Sequence, residues 1–403
     1  MNDPRIEEWL TVHRDGLLTD TLPFWQRHAV DEEEGGFLFC LDRDGTVVDT
    51  DKGLWQHGRF TWLLATLHHS LEGSEHHDPR WLELARHGIT FLEQHGFAPD
   101  GRMLFQVTRE GAPLRRRRYV FTEAFAAMAF AAWSRASGDA DAGERARQLL
   151  RVVHEHFTTP GMIPPKVDPG TRPMKGLSAP MILLGTAQAL REALCAGERS
   201  DTELEGMIDD ALLELERDFV HPELEVVLEN VGPKGEVIDH FDGRTLNPGH
   251  ALEAAWFVLA EAWHRDRDPH LSRLGCEMVD WMWRRGWDEE HGGILYFRDL
   301  HGGPVQEYWH DMKFWWPHNE ALLATLLAWR ASGEERFLER LALVHDWAHR
   351  HFHDPQYGEW FGYLHRDGRL SVSLKGNLWK GPFHLPRMQW VAWQVLEGMR
   401  SQD

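Results

Sequence analysis

Hydrophobic and polar residues are patterned on two scales along this chain, one inside helices and one between repeats. Segments rich in Trp, Ala and Leu recur at intervals of roughly 60 to 70 residues, which is the kind of internal repeat that marks a toroid or solenoid. Within each segment the apolar residues have the three- and four-residue spacing of an α-helix. The six segments begin near Trp55, Arg118, Pro180, His250, Trp316 and Leu385.

A more charged, amphipathic helix precedes each of these segments. Its apolar positions share one face, with Arg and Glu between them, as in a helix that packs on a core and faces water on its other side. Six such pairs predict an all-α fold, an (α/α)6 barrel (toroid) with the apolar helices inside and the amphipathic ones outside. The outer helices are predicted over Ile6–His28, Pro79–His95, Ala140–Phe157, Asp201–Phe219, His270–Trp287 and Glu335–Phe352.

Short β-hairpins are predicted between the outer and the inner helix of most repeats, on the face that carries the active site. Asp-Gly or Gly-Gly pairs, which adopt the positive φ of tight turns, follow short apolar stretches there. The third repeat has a Pro-rich loop, Thr159 to Pro173, in place of a hairpin. Because no low-complexity linker interrupts the series, residues 1–403 are predicted to form a single domain. The hairpin segments are Glu34–Gly45, Asp100–Gly111, His291–Gly303 and Tyr357–Arg369.

Net charge and cysteine content indicate which classes of partner and which cellular compartment to expect. The formal net charge is −21, and that sign disfavours nucleic acid and anionic membranes as main partners. The three cysteines, Cys40, Cys195 and Cys276, form no CxxC pair and imply neither a disulfide framework nor a structural zinc site. No signal pattern opens the chain, and no apolar run is long enough to span a bilayer. We expect a cytoplasmic location.

Chemistry is expected where the inner helices begin, since all six starts lie on one face of such a barrel and converge on one cavity. At the fourth start, Asn247 is a good N-cap and Pro248 suits the first helical position. His250 then lies in the first turn, where the helix dipole disfavours a protonated ring. Glu253 shares the face of His250 and can restore the basicity of the ring. His250 is therefore a candidate for acid–base work near neutral pH.

Other starts supply further ionisable and aromatic side chains. The sixth start places His384 between two prolines, with Arg387 in the first helical turn. The chain has 20 tryptophans, most of which are expected to fill the core. The remaining candidates are Arg59 at the first start, Tyr119 at the second, Lys175 at the third, and Trp316 and Glu320 at the fifth; of these, Tyr119 and Trp316 are expected to contact substrate.

These residues indicate proton chemistry next to a carbonyl group. Two histidines on opposite sides of the ring, His250 and His384, can remove and return a proton on the two faces of one carbon atom. Positive side chains can stabilise the enolate oxygen that forms. The groups expected to stabilise that oxygen, orient the histidines or bind hydroxyl groups are Arg59, Lys175, Glu253 and Glu320.

The residues leave other functions open. An aldose–ketose isomerase moves a proton from C2 to C1 with a single histidine. A glycoside hydrolase on the same barrel uses paired carboxylates, such as Glu253 and Glu320, with a water or nucleophile between them. A non-catalytic module binds sugar or protein without turnover. No metal is expected, since the candidate ligands His250, Glu253, His318 and Glu320 have no HExxH or comparable spacing.

Several short motifs also occur in one known family. They are Gly35-Gly36-Phe37, Asp49–Lys52, Trp55–Arg59, Asn247–His250 with Glu253 and Trp256, Phe314–Ala321 and Lys380–Arg387. With them the sequence resembles the N-acylglucosamine 2-epimerase (renin-binding protein) family over nearly its whole length. The resemblance implies an (α/α)6 barrel, often a homodimer, that acts on an open-chain sugar. It also implies that His250 and His384 are the catalytic histidines and that the other site residues are Arg59, Arg387, Glu253, Glu320 and Lys175.

One segment favours a branch of this superfamily. Mannose isomerases and cellobiose 2-epimerases carry a further histidine at the start of the third inner helix, whereas Met174–Met181 contains none. The resemblance therefore implies interconversion of N-acetyl-D-glucosamine and N-acetyl-D-mannosamine. One histidine would remove the C2 proton, an enediolate would form, and the other histidine would return a proton on the opposite face. The alternative is an epimerase or isomerase of a neutral sugar of the mannose, glucose, fructose or cellobiose type.

The resemblance to the N-acyl epimerase branch also gives expectations about cofactors and partners. We expect that the proton transfer requires no cofactor and that the partners are the small-molecule sugar and a second copy of the chain. Members of the branch are often activated by ATP, so the resemblance implies ATP as an allosteric activator. The sequence itself contains no GxxxxGK[ST] phosphate loop that would support nucleotide binding.

Overall fold

The computed structural model describes residues 3–165 and 167–400. Helices dominate this part of the chain, and two outer ones continue through a π-helical segment, Gly16–Thr21 after α1 and Leu215–Phe219 after α8. No helix among the described residues is long and apolar enough to cross a membrane. The helices are α1 (Arg5–Asp15), α2 (Leu22–His28), α3 (Leu54–Leu71), α4 (Arg80–His95), α5 (Phe121–Ser137), α6 (Ala140–Thr158), α7 (Ser178–Cys195), α8 (Thr202–Glu214), α9 (Phe241–Arg244), α10 (Pro248–His264), α11 (Pro269–Gly286), α12 (Trp315–Ser332), α13 (Glu335–Phe352) and α14 (His384–Arg400).

The long helices form the two rings that the repeat pattern predicts, so the (α/α)6 barrel is confirmed. The inner ring consists of α3, α5, α7, α10, α12 and α14, and the predicted starts of these helices agree with the structure to within about three residues. The difference between the rings follows from their side chains. In α12 every residue from Trp315 to Trp329 is buried, whereas α13 buries one stripe and turns charged residues to water.

Short strands lie on the face where the inner helices begin. Four strands stand directly before an inner helix, and each pairs antiparallel with a strand of the following repeat. These ladders fix the helix starts relative to one another. The strands are β1 (Cys40–Leu41), β2 (Val47–Asp49), β3 (Lys52–Gly53), β4 (Gln106–Val107), β5 (Pro113–Arg115), β6 (Lys175–Gly176), β7 (Val220–His221), β8 (Val226–Val227), β9 (Asn230–Val231), β10 (Thr245–Leu246), β11 (Arg298–Asp299), β12 (Lys313–Phe314), β13 (Tyr363–Leu364) and β14 (Leu370–Val372).

Three of the four predicted hairpins are present, as β1–β2, β4–β5 and β13–β14. The hairpin predicted over His291–Gly303 is wrong, because β11 pairs with β10 of the preceding repeat. Asp299 accepts hydrogen bonds from the N–H groups of His301 and Gly303, so the chain curls into a turn before a second strand can form. The structure adds a hairpin that was not predicted, β7–β8.

Buried lysine–aspartate pairs recur at one place in the ring. Each aspartate lies just after an outer helix, and its carbonyl accepts the N–H of a glycine four residues later. Each lysine lies in the segment that leads to the next inner helix, so every pair ties an outer helix to an inner one. The three pairs are Lys52–Asp31 at 2.9 Å, Lys313–Asp288 at 3.0 Å and Lys375–Asp354 at 3.1 Å, with side chains that are almost fully buried.

Candidate active site

The starts of the inner helices surround one large cavity, as the repeat pattern predicts. The cavity has a volume of about 1650 Å³ and is walled mainly by the inner ring. Glu320 is fully buried and lies behind the wall, where it contacts residues that do face the cavity. The sequence-predicted residues that line the cavity are Arg59, Tyr119, Lys175, His250, Glu253, Trp316, His384 and Arg387.

A buried arginine joins the two predicted glutamates. One nitrogen of Arg387, Nη2, donates to Oε1 of Glu253 at 2.6 Å and to Oε1 of Glu320 at 2.7 Å. Two carboxylates this close would repel each other in a low-dielectric interior, and the guanidinium between them offsets that repulsion. Arg387, Glu253 and Glu320 therefore form a buried ion cluster that contacts the neighbouring His384.

Within this cluster, His384 contacts Glu320. Nδ1 of the ring lies 2.6 Å from Oε1 of Glu320, and since an ionised carboxylate only accepts, Nδ1 carries the hydrogen. Burial lowers the pKa of His384 well below its ordinary value, and the positive charges of Arg387 and Arg59 act in the same direction while Glu253 opposes them. The ring is therefore neutral near pH 7, with an unprotonated Nε2 that can accept a proton.

His250 has the opposite tendency. Asn247 caps α10 by accepting the N–H of His250 at 3.2 Å, as predicted. Nδ1 of the ring lies 3.0 Å from both carboxylate oxygens of Glu229. Burial by itself would lower the pKa of His250, but the charge and hydrogen bond of Glu229, with smaller contributions from Glu253 and Glu320, raise it above its ordinary value. His250 therefore favours the protonated state that can donate a proton.

Trp316 contacts both histidines. Its ring centroid lies 5.0 Å from that of His250 and 5.7 Å from that of His384, with interplanar angles of 36° and 40°. The indole is buried in the cavity wall. The two imidazoles therefore flank one flat apolar surface, which suits the carbon face of a sugar lying between an acid and a base.

Comparisons with known proteins identify the family of the chain. A sequence model of the family described as N-acylglucosamine 2-epimerase (GlcNAc 2-epimerase) matches residues 35–384. The chain is 36% identical to the N-acylglucosamine 2-epimerase of Bos taurus over 413 aligned residues, which cover 98% of this chain and 94% of the relative. The chain belongs to the N-acylglucosamine 2-epimerase family. That family is one of carbohydrate epimerases, so the chain is an enzyme of the isomerase class.

More distant relatives within this superfamily share the barrel. The chain is 24% identical to a cellobiose 2-epimerase of Bacteroides fragilis, with 92% of this chain and 95% of the relative covered. The solved structure of a cellobiose 2-epimerase from Bacillus thermoamylovorans superimposes with a TM-score of 0.81 at 19% identity, over 96% of this chain and 99% of that one. The chain therefore shares its fold with this solved epimerase over nearly its whole length.

Arg59 sits in an aromatic box. The centre of its guanidinium lies 4.1 Å from the ring of Trp55, 3.9 Å from Phe125 and 4.4 Å from Phe383. Its Nε has no hydrogen-bond partner among the described residues. Burial lowers the pKa of Arg59, and the charges of Glu253 and Glu320 oppose that effect. A buried cation without a direct anionic partner is suited to an oxygen that becomes negative during a reaction.

Lys175 lies at the cavity, as predicted, but its ammonium group is paired with carboxylates. The residue lines the cavity, but its ammonium group donates to Glu214 at 2.7 Å and to Asp218, both on the outer side of the ring. The sequence favoured a role for Lys175 in stabilising the enolate oxygen. Because two carboxylates already hold the ammonium group, this geometry supports a structural link between β6 and the end of the outer helix instead.

Tyr119 lies at the rim of the cavity, just before α5. Its backbone is left-handed, with a φ of 53°, and its ring centroid lies 5.0 Å from that of Phe121. The carbonyl of Tyr119 accepts a hydrogen bond from Arg102 at 3.3 Å. This position agrees with contact to a bound ligand, and the role of Tyr119 in substrate binding stays a prediction.

Two buried histidines near the cavity are structural. Nδ1 of His57 and of His318 donates to the carbonyl four residues earlier, at 2.9 Å and 2.7 Å. Nε2 of each ring accepts a backbone N–H, from Phe37 and from Ile294, at 2.9 Å. Burial lowers the pKa of both to about 3. Both nitrogens of each ring are thus hydrogen-bonded. The neutral rings connect equivalent loops of the first and fifth repeats to the inner helices.

One cluster of the described residues has donor atoms close enough to hold a metal ion: Glu253, Glu320 and His384. Nη2 of Arg387 already donates to both carboxylates of this cluster. A metal ion there would face a fixed like charge at short range, which disfavours its binding. His318, named with this group from the sequence, has both ring nitrogens engaged by backbone groups.

Two contributors to the site were given no role from the sequence, although one of them, Trp256, belongs to a family motif. Trp256 donates its Nε1–H to Oε2 of Glu320 at 2.6 Å and so holds the carboxylate from behind. Glu229 contacts His250 from a segment that was given no element or role. The available signal for Glu229 was weak: it is a lone acid within the apolar stretch from Val226 to Val231.

Proposed function

We propose that the protein is a sugar 2-epimerase that interconverts N-acetyl-D-glucosamine and N-acetyl-D-mannosamine. The observation that carries the proposal is the pair of histidines beside Trp316, of which His384 favours the neutral state and His250 the protonated state. An acid and a base on two sides of one binding surface are what inversion at a single carbon requires. The 36% identity to an N-acylglucosamine 2-epimerase supports the amino-sugar substrate.

In one direction of this reaction His384 is the base. The open-chain sugar presents its C2–H bond to Nε2 of His384, which takes the proton while the bonding pair moves toward C1 and leaves negative charge on the C1 oxygen. His250 then returns its Nε2 proton to the opposite face of C2. The product leaves His384 protonated and His250 neutral, and exchange with water resets both rings. The reverse reaction begins with the two protonation states interchanged.

Positive charge near the cavity stabilises the enediolate-type intermediate. Nε of Arg59 has no hydrogen-bond partner in the part of the chain that the structure describes, and the guanidinium lies among three aromatic rings that exclude water. Such a preorganised cation is worth more in this low-dielectric setting than in solvent. Arg387, by contrast, is committed to Glu253 and Glu320. We therefore assign stabilisation of the C1 oxygen to Arg59, and alignment of His384 to Arg387 and Glu320.

Proton NMR in D2O tests the proposed function. The protein is incubated with N-acetylglucosamine, with and without ATP, and parallel tubes contain mannose and cellobiose. N-acetylmannosamine that carries deuterium at C2 is the expected product. Fructose from mannose would instead identify an isomerase, and glucose from mannose or a C2 epimer of cellobiose would identify a neutral-sugar epimerase. Absence of turnover in every tube would contradict the proposed reaction.

Three further properties are proposals that follow from the sequence and the family resemblance. We propose a homodimer, which light scattering on the purified protein tests. We propose a cytoplasmic location, which fractionation of the source cells tests. We also propose that catalysis needs no cofactor and that ATP acts as an activator. The NMR experiment with and without ATP tests both parts of that last statement.

A further inference from the structure

Glu229 is placed by backbone pairing rather than by a helix. It lies between β8 and β9, of which β8 pairs with β7 and β9 pairs with β6. Its carbonyl accepts the N–H of Leu177 at 2.9 Å, at the start of the third inner helix. The N–H of the preceding residue, Leu228, donates to the carbonyl of Phe219 at 2.9 Å. The Glu229 backbone is thus fixed from both sides before its side chain reaches the cavity.

The side chain of Glu229 is directed at one ring. Both of its oxygens lie 3.0 Å from Nδ1 of His250. In the described part of the chain, His250 is the sole side-chain hydrogen-bond partner of this carboxylate, which is only 18% exposed. An ionised carboxylate can only accept, so Nδ1 must carry a hydrogen and Nε2 is the nitrogen that remains for substrate.

We propose that Glu229 is a positioning residue that fixes the tautomer and orientation of His250 and keeps a proton on its Nε2. The proposal rests on the proposed function and deepens it, since it explains which of the two histidines begins as the acid. Glu229 does not touch the reacting atoms and acts through His250. The sequence motifs that identify the family lie outside the segment that carries it.

The two histidine–glutamate pairs of the site differ in how their carboxylates are neutralised. Glu320 shares its charge among His384, Arg387 and Trp256. Glu229 directs both oxygens to His250. A carboxylate with no competing cation stabilises an imidazolium more strongly than one already paired with a guanidinium. The same type of contact therefore yields a protonated ring at His250 and a neutral ring at His384.

The other charged or titratable groups near His250 do not replace Glu229. Glu253 lies on the same helix and Glu320 on α12, and both contribute to the pKa of His250 less than Glu229 does. Arg387 already holds both of these carboxylates. The neutral His384 adds no negative charge. Tyr296, whose ring packs near Trp316, has a pKa that burial raises above its ordinary value, so its phenol is neutral as well.

The direct test measures the protonation of His250 by NMR. Protein labelled with ¹⁵N in its histidine rings is titrated, and the His250→Gln spectrum assigns the signal of His250. We expect Glu229→Gln to lower the pKa of His250 by about one unit or more, because the nearby negative charge is lost. Glu229→Asp keeps the charge and should give a smaller shift, and it provides the comparison if the Gln variant does not fold.

A second histidine–glutamate pair, His221 and Glu223, provides a matched control. His221 and Glu223 form a pair with the same geometry, Nδ1 to Oε1 at 3.0 Å, but Glu223 is 65% exposed and lies outside the cavity. Glu223→Gln removes the same charge from the same kind of contact. It should leave both the pKa of His250 and the turnover of sugar unchanged.

Kinetics supply the second readout. We expect Glu229→Gln to lower kcat about 100-fold with KM within about threefold, and to move the alkaline limb of the kcat profile to lower pH. An unchanged pKa of His250 in both Glu229 variants, or a kcat and pH profile equal to those of Glu223→Gln, would overturn the proposal. If wild-type protein converts no sugar, the proposed function fails, while the NMR titration still decides whether Glu229 controls His250.

Discussion

Nδ1 of His384 and Oε1 of Glu320 lie 2.6 Å apart, although they come from two different inner helices, α14 and α12. The same oxygen accepts a hydrogen bond from Arg387, and the other oxygen accepts one from Trp256 at 2.6 Å. Glu320 is fully buried, so three donors rather than water satisfy its charge. A single carboxylate thus sets the angle of the proposed base.

Removing the charge of Glu320 should therefore harm catalysis more than substrate binding. In Glu320→Gln the amide nitrogen cannot accept from the donors that now meet the carboxylate, and His384 loses the acceptor that fixes its tautomer. We expect kcat for the epimerisation to fall about 100-fold or more, with a small change in KM. Steady-state kinetics on both epimers measure this.

Trp256→Phe is the matched comparison, since it removes one donor to Glu320 and leaves the carboxylate and its contact with His384 in place. We expect a fall in kcat of about tenfold or less, the size of one hydrogen bond. A Gln variant as active as this Phe variant would show that Glu320 does not align the base.

The two histidines should separate proton exchange from epimerisation. In His384→Asn only His250 can abstract a proton, so we expect deuterium to enter one epimer without its conversion. In His250→Asn the other epimer should exchange instead. Epimerisation should fall about 10³-fold in both variants, because the second proton transfer has lost its donor. NMR in D2O with each epimer separately measures both rates.

This pattern distinguishes two bases from one. A single shuttling histidine would lose exchange and epimerisation of both sugars together in one variant and retain both in the other. Near-normal epimerisation in either variant would contradict the two-histidine assignment. Circular dichroism on each variant confirms that the barrel remains folded during the comparison.

The sequence predicts the ring and the helix-borne part of the site well, and for one reason. Residues such as His250 and His384 are located by helical periodicity, which also determines where each inner helix begins. Once the helix starts are known, closure of the ring places the site residues at those starts close together. The contact of Arg387 with Glu253 follows from that closure, although the residues are 134 positions apart.

The remainder depends on pairings that local patterns do not encode. β11 pairs with β10 of the preceding repeat rather than forming its own hairpin. Glu229 reaches His250 because β9 pairs with β6, a partner that no turn signal identifies. Lys175 was predicted to stabilise the enolate oxygen because it lies at a helix start, whereas its ammonium group contacts Glu214 and Asp218 on the outer ring.

Substitution of Arg59 should lower mainly the activity, whereas substitution of Arg387 should lower mainly the stability of the protein. Among residues 3–165 and 167–400, no carboxylate lies within hydrogen-bond distance of Arg59, so Arg59→Met removes a buried charge and keeps apolar volume in the aromatic box. We expect activity to fall about 100-fold while the free energy of unfolding changes by about 1 kcal/mol or less. Arg387→Met leaves Glu253 and Glu320 facing each other and should destabilise the protein by about 3–5 kcal/mol.

Thermal and chemical denaturation of the two Met variants, alongside their turnover, measure the difference. Equal losses of stability would mean that Arg59 has an essential structural partner and would remove the basis for assigning it to the C1 oxygen. Retained activity in Arg59→Met would contradict that assignment directly.

The glycines that face the two structural histidines should not tolerate a side chain. Gly36 and Gly293 have φ values of 67° and 76°, and a Cβ atom at either would lie 2.7 Å or 2.8 Å from Nε2 of His57 or His318. Alanine there combines backbone strain with loss of the hydrogen bond that each ring accepts. We expect Gly36→Ala and Gly293→Ala each to lower the free energy of unfolding by about 3 kcal/mol.

Gly302 separates these two effects. It has a φ of 76°, the same as Gly293, but a Cβ atom there would meet nothing within 4 Å. Gly302→Ala should therefore show backbone strain alone, about 1–2 kcal/mol. Urea unfolding of the three variants checks the order. A Gly293→Ala variant no less stable than Gly302→Ala would show that the His318 contact adds nothing, and that the neutral histidines are not the staples that hold these loops against the inner helices.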